Sequence, residues 1–115
     1  MITLSQTRGD TRGYYFKRID GDGQVITTTP NSLYFTVKSS FFTQQVVFQK
    51  KLEDMTVDED GTYHFVIEPK DTENLDYGSY VWDIQVTQDN VVTTIAKGTL
   101  NLTHEATWAS NEGER

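Results

Sequence analysis

The stretch Ser79-Tyr-Val-Trp-Asp-Ile-Gln-Val-Thr87 decides the fold. Tyr80, Trp82, Ile84 and Val86 fall at every second position, with Asp83 and Gln85 between them. A period of two places successive side chains on opposite sides, as in a strand half-buried against a core. Ser32-Leu-Tyr-Phe-Thr-Val-Lys-Ser39 repeats the pattern, with Leu33, Phe35 and Val37 inward and Tyr34, Thr36 and Lys38 outward. Thr62-Tyr-His-Phe-Val-Ile-Glu68 does so again, with Tyr63, Phe65 and Ile67 inward and His64 outward. Further strands are expected at residues 2–7, 13–19, 24–28, 45–52 and 91–103.

Turn chemistry separates these runs. Asp20-Gly-Asp-Gly23 and Asp58-Glu-Asp-Gly61 supply glycines for positive φ, and Asp89-Asn90 suits a tight hairpin. Helical character is confined to Pro69-Lys-Asp-Thr-Glu-Asn-Leu75, where Asp71 or Thr72 would cap a short turn near residues 70–75. Asp76-Tyr-Gly-Ser-Tyr80 then has the Asp-x-Gly-x-Tyr form of a tyrosine corner, in which Tyr80 bonds back to upstream backbone. Immunoglobulin domains carry a cysteine two residues after that tyrosine; here Trp82 stands there, and the chain has no cysteine. The expectation is an all-β, immunoglobulin-like antiparallel sandwich of about 7–9 strands without a disulfide. It would occupy residues 1–107, with a polar tail at 108–115.

At 115 residues the chain is of single-domain size, and its net charge is −7. That balance argues against a nucleic-acid partner, since little here would release counterions from a phosphate backbone. It also disfavours anionic membranes, and no apolar run approaches the ~20 residues of a spanning helix. The charge divides unevenly. Residues 1–51 carry seven basic and three acidic side chains, and residues 52–115 three and fourteen. Head-to-tail contact between copies would use that division and would weaken with added salt.

Several motifs, taken in order, resemble a family of short bacteriophage and prophage proteins. They are Arg8-Gly-Asp-Thr11, Phe16, the Asp20–Gly23 turn and Leu33-Tyr-Phe-Thr-Val-Lys38. Later come Gly61-Thr-Tyr-His-Phe, Pro69-Lys-Asp-Thr72, Leu75, Gly78-Ser-Tyr-Val-Trp-Asp-Ile-Gln-Val86 and Val92-Thr-Thr-Ile-Ala-Lys-Gly98. The family is similar to immunoglobulin-like modules of tails and baseplates, including the N-terminal part of baseplate upper proteins. The resemblance covers residues 4–107. The chain departs from the pattern at Trp82, where a tyrosine is usual, and at Ile26-Thr-Thr-Thr-Pro30, where Leu-Thr-Gly is usual. It implies a non-enzymatic structural or assembly module built into the virion. Its partners would be baseplate proteins or copies of itself, and no cofactor is implied. Met1-Ile-Thr-Leu-Ser-Gln-Thr-Arg-Gly-Asp10 lacks the basic-then-apolar order of a signal peptide, so synthesis in the bacterial cytoplasm is expected.

No residue set points strongly to catalysis. His64 and His104 lie forty residues apart and cannot form a usual zinc set without cysteine. Asp20-Gly-Asp22-Gly23 begins like a calcium loop, but Gln24 and Asn31 stand where ligands are needed. Asp83 is the best candidate for an acid, yet alternation sends it to the face opposite Trp82. Arg8-Gly9-Asp10 matches an adhesion tripeptide but reads as a strand entry, and Asn101-Leu-Thr103 is a glycosylation acceptor in form alone. The expectation is no catalytic, cofactor or metal residue.

Clustered exposed rings mark interfaces. Tyr14 (in the run Tyr14-Tyr15-Phe16), Tyr34, Phe41, Phe42 and Trp108 are the candidate contact residues. The competing expectation is a carbohydrate-binding module that grips host-surface glycan with Tyr34 or Trp108.

Overall fold

A computed structural model describes residues 2–104; Trp108 and the expected tail lie outside the described residues. Eight strands form two sheets. They are β1 (Ile2–Thr7), β2 (Arg12–Lys17), β3 (Ser32–Lys38), β4 (Phe48–Lys51), β5 (Thr56–Val57), β6 (Thr62–Ile67), β7 (Gly78–Gln88) and β8 (Val91–Thr103). One sheet runs β1-β8-β7-β3-β4 and the other β2-β6-β5. With β3, β7 and β8 in one layer and β2, β6 and β5 in the other, this is the strand arrangement of an immunoglobulin-like sandwich.

Alternation builds the core as the sequence indicates. Leu33, Phe35 and Val37 meet Tyr63, Phe65 and Ile67 from the facing sheet, with Trp82, Ile84, Val86 and Leu100. Phe35 sits at the centre, its ring 4.6 Å from Phe65 and 5.7 Å from Trp82, centroid to centroid. Each such side chain contributes about 1.5–3 kcal/mol by burial. The Trp82 indole, in the place of the usual cysteine, donates to the Thr99 carbonyl at 3.0 Å. The tyrosine corner forms as well: the Tyr80 hydroxyl donates to the Asp76 carbonyl at 2.7 Å, and Gly78 adopts a φ of 138° where β7 begins. Asp89 and Asn90 both have positive φ, which matches the hairpin twist between β7 and β8.

Several expectations are corrected. The sandwich is not wholly antiparallel, because β1 runs parallel to β8 with Ile2 opposite Gly98 and Thr7 opposite Thr103. That approach needs glycine: a Cβ on Gly98 would lie 1.8 Å from the Ile2 carbonyl oxygen and 2.9 Å from the Trp82 ring. No strand forms over 24–28, only a bridge between Ile19 and Val25, because the Asp20–Gly23 turn and Pro30 leave too little extended chain. The strand expected over 45–52 begins at Phe48 and closes into a 3-10 turn at Leu52–Asp54. The helix α1 is one turn, Pro69–Thr72, capped by Glu68 rather than by Asp71 or Thr72. Proline suits the first helical position, so the cap precedes it, and Asp71 instead accepts from the Glu68 N–H at 2.8 Å.

Candidate functional site

The sandwich is open along one side. β1 covers β8 from Gly98 to Thr103, which leaves the edge from Val91 to Lys97 without a neighbouring strand among the described residues. Across the gap, β2 is the edge of the smaller sheet. Between them lies a groove of about 450 Å³ whose floor is Ile84 and Val86. Phe16, Arg18, Ile19 and Ile26 wall one side, and Val91, Thr93, Ile95 and Ala96 the other.

Local sequence leaves most of this edge unblunted, with Lys97 the one charge, at its end. Val91-Val-Thr-Thr-Ile-Ala96 holds no charge and no proline, the devices that usually blunt an exposed strand. Val91 and Val92 are 62% and 63% exposed. The pairing of β7 with β8 slips between Ile84 and Gln85, leaving Ile95 as an extra residue. This bulge turns both Ile95 and Ala96 toward the groove.

Two polar atoms complete the groove. Arg18, 8% exposed, donates from one terminal nitrogen to the Thr28 carbonyl at 3.0 Å, while its Nε is buried and has no partner. Gln88 Oε1 is likewise buried and unbonded. A buried donor or acceptor without a partner costs about 1–3 kcal/mol.

The expected contact residues do not converge on one patch. Tyr14 turns inward, its ring 5.7 Å from Phe65 and its hydroxyl donating to Gln6 Oε1 at 3.0 Å; burial raises its pKa against the opposing Arg12 charge. The ring that β2 offers to solvent is Tyr15, 75% exposed. Tyr34 is half-buried on the outer face of the larger sheet. Phe41 lies beneath the Lys97 ammonium at 5.9 Å, and Phe42 is 98% exposed in the loop after β3. Asp76, Gly78 and Tyr80 serve the corner, and burial, then the Asp76 charge, raise the Tyr80 pKa.

The remaining motifs have structural employment. Asp20 Oδ1 accepts from the N–H groups of Asp22 and Gln24, at 2.9 and 3.0 Å, which spends it on the turn. Arg8 reaches the Leu75 carbonyl at 3.2 Å and lies 4.1 Å over the Tyr77 ring, and the Gly9 N–H donates to Thr72 Oγ1 at 3.0 Å. The tripeptide thus fastens β1 to α1. His64 contacts Asp58 at 2.8 Å, and His104 stacks on Tyr77. Asp83 is partly buried on the outer face, and desolvation raises its pKa against the nearby Lys38 charge. Among the described residues no cluster of three or more His, Asp or Glu could hold a metal, and no helix is long and apolar enough to cross a membrane.

No protein-family model and no curated protein matches the chain.

Proposed function

We propose that this protein is a non-enzymatic assembly module of a phage or prophage tail, acting through protein–protein contacts. The observation that carries the contact reading is the uncharged, unpaired edge Val91–Ala96 above an apolar groove. Such an edge is a ready template for another chain. The tail context rests on the ordered motifs from Arg8 to Gly98 and on the sandwich they fold into. In this reading the chain is made in the bacterial cytoplasm and joins the virion through neighbouring baseplate proteins or copies of itself.

Light scattering tests it, on the chain alone and mixed with the proteins encoded by the adjoining reading frames. The expected result is a complex heavier than either component, with no affinity for cell-wall glycans. A strict monomer in every mixture that instead binds those glycans would overturn the reading in favour of a carbohydrate-binding module.

A further inference from the structure

We infer that the open side of the sandwich takes an extended, apolar segment of a partner protein, added as a strand beside Val91–Lys97, with a carboxylate that meets Arg18. This deepens the assembly reading above and rests on it.

Three features of the groove specify the occupant. The backbone of Val91–Lys97 offers hydrogen-bonding groups that no described strand uses, which calls for an extended peptide rather than a compact ligand. Below it, Phe16, Ile84, Val86 and Ile95 form an apolar trough that would take every second side chain of such a strand.

Arg18 then supplies the charge preference. Its guanidinium carries five N–H donors, of which the structure bonds one, to Thr28. No carboxylate among the described residues lies within ion-pair distance of it. The Arg18 Nε is shut off from water without a partner, a cost that an incoming acceptor relieves. Gln88 Oε1, unbonded in the same groove, can accept from an N–H of the added strand. A second copy pairing through its own Val91–Ala96 would bring no carboxylate, so that edge does not complete the site.

The test uses the full chain and a capped synthetic peptide in which Val, Val, Asp and Val alternate with Ser and Thr. Its control is the same peptide with Asn in place of Asp. Titration followed by amide NMR should show the Asp peptide shifting resonances of residues 91–97. It should bind roughly tenfold tighter than the Asn peptide, the ratio for a hydrogen bond to a charged group. Arg18→Gln should erase that ratio. Should Arg18→Gln not fold, Thr93→Glu, at an exposed position on the groove wall, should weaken the Asp peptide at least tenfold by placing a carboxylate in the site.

Equal binding of the two peptides, no binding, or shifts confined to other strands would each overturn the proposal. So would decanoate binding in the groove while neither peptide perturbs the edge, since the ligand would then be a free aliphatic acid. A complex with neighbouring proteins that forms while the peptides fail leaves the assembly reading standing and removes this one alone.

Discussion

Individual side chains in this fold are held by identifiable partners, so their removal has calculable cost. The Tyr80 hydroxyl makes one bond, to the Asp76 carbonyl, at the start of β7. Tyr80→Phe keeps the ring and loses that bond, so urea denaturation should show a loss of about 1 kcal/mol with the m-value unchanged. Lys50 is buried at the end of β4, 2.7 Å from Asp71 and 3.7 Å from Glu68. Lys50→Ala strands the nearly buried Asp71 carboxylate and should cost roughly 3 kcal/mol in the same assay. Asp83 behaves oppositely. Its folded pKa is raised, chiefly by burial, so ionising it opposes folding. The stability it permits is fully present below the unfolded carboxylate pKa of about 3.9 and is lost as pH rises through the folded value. Asp83→Asn should therefore melt close to the parent near pH 3 and above it near pH 7. A variant that melts below the parent at pH 7 would show that the carboxylate has a stabilising partner.

At the scale of elements, legibility followed length and alternation. The strands Ile2–Thr7 and Val91–Thr103 lie where the sequence puts them, the first stopping at the Arg8-Gly9 turn and the second opening after Asp89-Asn90. β5 has two residues and could not show a period, and Thr27-Thr-Thr-Pro30 looks extended yet pairs with nothing in register. Much of the groove was hidden for another reason. Tyr14, Phe16 and, just past the end of β2, Arg18 fall on one side by simple parity, so an arginine pointing inward was readable. The run Tyr14-Tyr15-Phe16 obscured it, since three consecutive rings do not announce which of them turns inward. The open edge depends on how far β1 extends along β8, which is a property of pairing and not of either strand alone. Gly98 controls that pairing. Gly98→Ala drives a methyl into the Ile2 carbonyl and should cost about 2 kcal/mol or more. Amide exchange should then accelerate at Gly98–Thr103, where β1 is released; unchanged protection there would show that β1 can shift to accommodate the methyl.

For the whole molecule, the division of charge along the chain is bridged at two points. Lys50 pairs with Asp71 and Lys17 with Asp60, so basic groups of the first half are matched by acids of the second. The net charge of −7 acts against head-to-tail attraction as a repulsion between copies. Raising salt from about 0.05 to about 0.5 M should leave any self-association unchanged or stronger, as read by light scattering. Weakening would show that opposite charges join the copies.

The central claim is that the open side of the sandwich is a docking edge, and amide hydrogen exchange on the full chain tests it most directly. With the Asp-containing peptide bound, exchange should slow across Val91–Lys97 while the rest of the larger sheet keeps its rates. Protection that appears elsewhere, with Val91–Lys97 exchanging as in the free chain, would contradict the account.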